Sequence, residues 1–104
     1  MTPIRSITRL LGVLALTLLL AACETAPPVQ EMSDARQAIT VAREAGAADL
    51  AAAELAEAEK YLQNAVDKLD HELYRAARSA ALEAKLRAQN ARQLTEASKV
   101  GGGD

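Results

Sequence analysis

Alanines that recur every three or four residues constrain this 104-residue chain more than any other feature. Residues spaced in this way line one side of an α-helix, and alanine has the highest helix propensity. Hydrophobic residues make up 50% of the sequence, yet there is no Trp or Phe and there are only two Tyr. Each buried methyl contributes little, about 0.8 kcal/mol per CH₂. The pattern predicts an all-α fold with closely packed helices, of marginal stability unless self-association or a partner supports it.

The first predicted helix covers residues 31–45. Its apolar stripe consists of Met32, Ala35, Ala38, Ile39 and Ala42. Two acidic residues, Glu31 and Asp34, suit the positive end of the helix dipole. Gly46 follows the stripe and predicts the end of the helix, because glycine adopts the left-handed conformation without a steric cost.

The second predicted helix covers residues 50–70 and has the clearest amphipathic pattern in the chain. Its apolar seam consists of Ala51, Leu55, Ala58, Leu62, Ala65, Val66 and Leu69. Three of these are leucines spaced seven residues apart, with alanines at the intermediate positions. This spacing is typical of a helix that packs along its whole length against a neighbour.

The third predicted helix covers residues 72–98. Its inner face consists of Leu73, Ala77, Ala80, Ala84, Ala88, Ala91 and Leu94. No glycine or proline enforces a break over residues 70–73, so the second and third helices form either a hairpin or one long rod. We favour the hairpin, because a rod would leave the seam of the second helix without a partner inside the chain. The prediction is a small antiparallel bundle of three helices, over 31–45, 50–70 and 72–98.

Two leucines of the third helix lie on the face opposite its alanines. Leu82 and Leu86 are one helical turn apart among polar residues. They either cover the first helix or stay exposed to solvent, or they form a contact for a partner protein or a second copy of the chain.

The first 22 residues have the pattern of an export signal. Arg5 and Arg9 provide positive charge, and residues 10–20 form an apolar run shorter than the roughly 20 residues that a membrane-spanning helix needs. The run ends in Leu20-Ala21-Ala22-Cys23, which resembles the lipobox of bacterial lipoproteins and contains the only cysteine. The alternatives are an uncleaved membrane anchor or an ordinary signal peptide followed by an unrelated cysteine.

The resemblance to bacterial lipoproteins implies a series of modifications at Cys23. Its sulfur would receive diacylglycerol, cleavage would remove residues 1–22, and the new amino group would be acylated. No other cofactor is expected. Glu24 stands where Asp would be the retention signal of the inner membrane, so the resemblance implies anchoring in the outer membrane of a Gram-negative bacterium, facing the periplasm. Residues 23–30 would form a tether, in which Pro27-Pro28 favours an extended run of about 20 Å.

The charge balance and the polar residues argue against several functions. Removal of residues 1–22 leaves ten basic and fourteen acidic residues, a net charge of −4, whereas nucleic-acid binding requires a basic surface. His71 is the only histidine, and after lipidation no cysteine would remain to complete a metal site. We find no catalytic residues, no metal ligands and no phosphate-binding loop, and so we expect a protein that is not an enzyme.

Residues 31–99 are predicted to form an alanine-rich helical domain, and the stretch from about Ser33 to Lys99 resembles an alanine-rich family of unknown function that occurs in proteobacterial lipoproteins. The resemblance rests on short motifs: Ala35-Arg36-Gln37-Ala38-Ile39, Leu55-Ala56-Glu57-Ala58-Glu59-Lys60, Tyr74, Ala77-Arg78, and the ladder Ala81, Ala84, Ala88 and Ala91. It implies a role in the cell envelope, as a binding adaptor or a structural element, with the membrane and an envelope protein or a second copy as partners. The alternative is a self-assembling coiled coil similar to the murein lipoprotein. Residues 100–104 are expected to form a flexible glycine-rich tail without the terminal lysine of that protein.

Overall fold

The computed structural model describes the backbone of residues 3–101 and the side chains of residues 5–16 and 26–101. Every regular element in this part of the chain is a helix. The helices are α1 (Pro3–Thr25), α2 (Val29–Ala45), α3 (Ala47–Leu50), α4 (Ala52–Asp70) and α5 (Tyr74–Gly101). The all-α prediction is therefore confirmed. There are five helices instead of the three predicted, because the structure adds α1 and the short α3.

Helix α2 ends at the predicted glycine. Gly46 has a φ of 106°, in the left-handed region, and its backbone N–H bonds to the carbonyl oxygens of Ala42 and Arg43. One turn of helix, α3, follows directly. The backbone leaves the helical conformation at Ala51 (φ −148°, ψ 46°), and α4 begins at the next residue, two residues later than the sequence predicts.

A second left-handed residue separates α4 from α5, so the chain forms a hairpin and not a continuous rod. Glu72 has a φ of 59°. Its N–H bonds to the Leu69 carbonyl at 2.9 Å, and the N–H of Leu73 bonds to the Lys68 carbonyl, also at 2.9 Å. This pair of hydrogen bonds is the Schellman motif, which satisfies the last carbonyls of a helix.

Helix α5 is the central element, since both α2 and α4 pack mainly against it. Its buried side chains are Ala77, Ala80, Ala81, Ala84, Ala88, Ala91 and Thr95. Most of them follow alternating steps of four and three residues, the spacing of a coiled-coil seam. Their small size allows the backbones of both neighbouring helices to approach α5, and the larger apolar side chains come from α2 and α4, namely Met32, Ile39 and Leu55, with Leu62 and Leu69 partly buried.

Interhelical ion pairs give the directions of the helices. Arg78 bonds to Glu31 at 3.1 Å, and the pair Lys85–Asp34 lies further along both helices at 3.9 Å, so α2 and α5 run in the same direction. Arg43 of α2 pairs with Glu59 of α4, whereas Arg87 of α5 lies 3.8 Å from Glu54, near the start of α4. Only short segments join α4 to α2 and to α5, so α4 runs opposite to both of its neighbours.

The inner face predicted for the third helix is wrong at both of its ends. Leu73 is 54% exposed, because it lies in the turn before α5 where helical spacing does not apply. Leu94 is 46% exposed, and Thr95 is buried in its place. The buried positions take a step of four residues from Ala91 to Thr95, so Thr95 continues the seam and Leu94 lies beside it, facing solvent.

The extended tether predicted over residues 23–30 is much shorter in the structure. Helix α1 continues to Thr25, and α2 begins at Val29, so only residues 26–28 lie between helices. Pro28 is fully buried, and its carbonyl accepts a hydrogen bond from the N–H of Met32 at 3.0 Å. The second proline therefore begins α2 and packs against the domain. We refer to residues 29–101 as the helical domain.

Helix α1 extends away from the helical domain. The molecule is 82 Å long, 31 Å wide and 14 Å thick, whereas the 28 residues of α5 account for roughly 42 Å at 1.5 Å per residue. All of the described side chains of α1, residues 5–16, are exposed. As far as the described residues show, none of the helices has the length and hydropathy of a membrane-crossing segment.

Candidate functional site

The predicted lipid attachment site lies near the end of α1. The backbone of Leu20, Ala21, Ala22 and Cys23 is helical, and the side chains of these four residues lie outside the described part of the structure. The structure therefore does not test the prediction that Cys23 carries lipid. What the structure adds is the short distance along the chain between Cys23 and the helical domain.

An arginine holds the chain close to the helical domain just after the predicted attachment site. Arg78, in the second turn of α5, donates one hydrogen bond to the carbonyl oxygen of Ala26 and another to the carboxylate of Glu31, each at 3.1 Å. The side chains of Arg78 and Glu31 are each less than one-third exposed. We call this set of contacts the Arg78 clamp; it fixes the point at which the chain leaves the domain.

Sequence reasoning missed the Arg78 clamp. The partners of Arg78 lie 47 and 52 residues away along the chain, and no local pattern links them. The parallel packing of α2 and α5 brings Arg78 and its partners together, and the sequence of neither helix predicts this packing by itself.

The two leucines singled out from the sequence lie on the outer face of α5. Leu82 is 46% exposed and Leu86 is 57% exposed, so neither of them covers α2. They face away from the buried alanines, and the polar side chain of Gln89 continues the same exposed face. Exposed leucines one turn apart form a small apolar patch.

The polar residues for which the sequence predicts no catalytic or metal-binding role lie at the surface. His71 is exposed in the turn between α4 and α5, and its Nδ1 lies 2.8 Å from the carbonyl oxygen of Asp67. No group of three or more His, Cys, Asp or Glu side chains suited to a metal ion occurs among the described residues.

Charged groups bridge α4 and α5 on the outside of the seam. Arg87 lies 3.8 Å from both Glu54 and Glu83, and its guanidinium carbon is 5.9 Å from the centre of the Tyr61 ring. These contacts hold a cation over an aromatic face between two carboxylates. They are the contacts of a helix–helix interface, with a partly exposed arginine joining the two helices.

A groove between α2 and α5 is open to solvent. Its lining combines apolar, amide and charged side chains, namely Asp34, Gln37, Ala38, Val41, Lys85, Gln89 and Arg92. The two cations of this groove already have acidic neighbours: Lys85 lies 3.9 Å from Asp34, and Arg92 bonds to Glu96 at 2.9 Å.

Together these features define a class of protein: an all-helical domain built on an alanine seam and joined by a short segment to an N-terminal apolar helix. The family follows from comparison with known proteins. Residues 30–100 match a domain of unknown function, DUF4398, and the chain belongs to this family. No curated protein and no solved structure matches the chain.

Proposed function

We propose that this protein is a bacterial lipoprotein that loses residues 1–22 and is held in the membrane by lipid on Cys23. Its helical domain, a small antiparallel bundle of three long helices, acts by binding and not by catalysis, as an adaptor or a structural element of the envelope. The observation that carries the proposal is the order Leu20-Ala21-Ala22-Cys23 at the end of a short apolar run. The helical domain begins only six residues after this cysteine, which supports its presentation at a membrane surface.

Replacement of the cysteine tests the lipid anchor. Cys23→Ser removes the sulfur that would form the thioether, so we expect precursor of unchanged length and no incorporation of a radiolabelled fatty acid. Ala26→Ser is the matched control, because it introduces the same side chain three residues later, at an exposed position, and should be processed and labelled normally. Normal processing of Cys23→Ser, or wild-type mature protein with a free thiol, would contradict the proposal.

We place the anchor in the outer membrane, with the domain in the periplasm. Glu24 supports this location, because Asp at the same position would resemble an inner-membrane retention signal. Density-gradient separation of the two membranes tests it: the wild-type protein should sediment with the outer membrane. Recovery of the wild-type protein in the inner-membrane fraction would be evidence against this location.

The adaptor function would use the outer face of α5. Leu82 and Leu86 are exposed, so changing both to Glu should leave the fold intact while removing an apolar contact. We expect Leu82→Glu plus Leu86→Glu to lose a crosslinked partner, or a second copy, in envelopes. Leu50→Glu plus Leu94→Glu is the control, because both of these leucines are 46% exposed on other surfaces. Unchanged partners, helicity and mass in the first variant would rule out this face.

The second candidate is a self-assembling coiled coil similar to the murein lipoprotein. It is favoured by one observation, the alternating four- and three-residue spacing of the buried positions along the 28 residues of α5. Two helix-ending turns, at Gly46 and Glu72, favour the adaptor instead. Mass measurement of the processed protein separates the two: a trimer indicates the coiled coil, and a monomer or dimer indicates the adaptor.

A further inference from the structure

We infer that the end of the helical domain formed by Val29, Leu73 and Tyr74 rests on the lipid bilayer, so that the anchored domain has a defined orientation. This inference depends on the lipid anchor proposed above and adds a second contact between the protein and the membrane. We call this surface the proximal end. The opposite end, at Gly46 and Leu50, would then point away from the membrane.

The first argument is the length of chain between Cys23 and the Arg78 clamp. Ala26 is three residues after Cys23, and three residues span at most roughly 11 Å when fully extended. Because Arg78 holds the Ala26 carbonyl at 3.1 Å, the chain cannot use residues 27 and 28 as additional tether. A domain held this closely to its acyl chains cannot avoid contact with the headgroup region.

The second argument is the position of the clamp within the domain. Arg78 is only four residues from the start of α5, so Tyr74 and Leu73 lie about one turn nearer to the end of the domain than the clamp does. Val29 is the first residue of α2, which runs parallel to α5 and begins at the same end. Helix α1 leaves the domain from this end and makes its contacts with the helical domain through α5.

The third argument is the chemistry of the proximal end. Val29 is 72% exposed and Leu73 is 54% exposed, although both are apolar. The shallow depression beside them has a mostly apolar surface and is lined by Leu73, Tyr74, Arg75, Ala76 and Ser79. Tyrosine combines an apolar ring with a hydroxyl group and is enriched at membrane–water interfaces, so a half-buried tyrosine beside exposed aliphatic side chains suits the headgroup boundary.

Charge does not drive this contact. The charged residues around the proximal end carry both signs: Glu31, Asp67, Lys68, Asp70, Glu72, Arg75 and Arg78. Their balance is slightly acidic, whereas binding to anionic lipid requires a basic surface. We therefore expect the same contact on zwitterionic phosphatidylcholine as on vesicles that contain anionic lipid.

The test uses the lipid-modified protein in phosphatidylcholine vesicles with brominated or ordinary acyl chains. Because the lipid occupies the sulfur of Cys23, an introduced cysteine is the only free thiol. An environment-sensitive fluorophore is attached at L73C or V29C, at the proximal end, and at L50C, which is exposed at the opposite end. We expect a blue shift and quenching by bromine at the two proximal positions and neither effect at L50C.

The outcomes separate this inference from the proposed function. If the wild-type protein itself takes up the fluorophore, or does not float with the vesicles, the lipid anchor is wrong. If the protein floats and the wild type has no free thiol, yet all three positions remain unquenched or all are quenched equally, the anchor stands and the orientation is wrong. Circular dichroism verifies that each variant keeps its helices.

Discussion

The two turns of the helical domain each end a helix with a residue in the left-handed conformation, but the residues differ. At the end opposite the predicted lipid site, α2 ends at Gly46, with a φ of 106°; at the proximal end, α4 ends before Glu72, with a φ of 59°. Both residues are in the left-handed region. Glycine adopts this conformation freely, whereas a residue with a side chain loses roughly 1–2 kcal/mol there.

The difference shows that tertiary packing, and not local sequence, decides where the second turn lies. The seam of α4 and that of α5 can be buried together only if the chain reverses between them. The reversal therefore occurs at a residue that has a side chain, and the Schellman hydrogen bonds of Glu72 and Leu73 partly offset the backbone strain. Because this turn has no glycine, its position cannot be predicted from a glycine in the sequence.

The largest effect is expected where glycine is required. Gly46→Ala should lower the free energy of unfolding by about 1–2 kcal/mol, because alanine is strained at positive φ. A new Cβ would meet side-chain atoms of Lys99 and Thr95 at 3.9 Å, an ordinary contact, so the cost comes from the backbone. Thermal unfolding followed by circular dichroism measures it, and Gly46→Asn, which tolerates the left-handed region, should recover part of the loss. Equal stability of all three proteins would mean that the Gly46 turn is as adaptable as the Glu72 turn.

The sequence predicted the middle of the fold well and its edges poorly. Apolar spacing located three amphipathic helices, and glycine located the end of α2, since both signals act within a few residues. The spacing failed at Leu73, which lies in a turn, and at Leu94, where the seam takes a step of four residues from Ala91 to Thr95 instead of a step of three. The prediction for Pro28 failed for a similar reason. A proline pair predicts an extended segment, and only the packing in the structure shows that the second proline is buried against the domain.

The candidate sites also differ in whether they depend on nearby or on distant residues of the sequence. The predicted lipobox is a contiguous motif, so it could be proposed from the sequence alone. The sequence left open whether Leu82 and Leu86 cover the first helix, and the structure shows both of them exposed. The Arg78 clamp and the apolar proximal end depend on two helices that meet from distant parts of the chain. No spacing rule reaches across 47 or 52 residues.

The Arg78 clamp holds the segment that enters α2, through Ala26 and Glu31, and the ion pairs further along the helices do not contact this segment. Arg78→Ala should lower global stability by only about 1 kcal/mol or less, since partly exposed ion pairs contribute little. Locally, it should speed hydrogen exchange of the Val29 and Met32 amides, which bond to the carbonyls of Pro27 and Pro28 at 2.9 and 3.0 Å. Lys85→Ala is the control, because its pair with Asp34 is longer, at 3.9 Å. The clamp is not needed if both variants exchange alike at these amides.

The smallest effect should be a gain in stability, at Glu72. Glu72→Gly removes the strain at positive φ, and the greater freedom of glycine in the unfolded chain offsets part of this, so we expect about 0.5 kcal/mol of stabilisation. Glu72→Ala separates the backbone effect from the loss of the carboxylate, because it keeps the strain and should bring no gain. Urea unfolding of the two variants beside the wild type measures both.

A loss of stability in Glu72→Gly would reverse the comparison of the two turns. It would mean that the Glu72 side chain contributes more than its backbone strain costs, and the carboxylate beside His71 would then be the group to study. A gain in stability in Glu72→Gly together with a loss in Gly46→Ala would show that both turns require the left-handed backbone conformation. Only the Gly46 turn would then have the residue that adopts this conformation without strain.

The strained residue Glu72 lies beside Leu73, at the end that we place on the membrane. Stabilising this turn with Glu72→Gly should therefore leave the quenching at L73C unchanged, since the bilayer contact depends on the exposed side chains and the short tether, and not on the identity of residue 72.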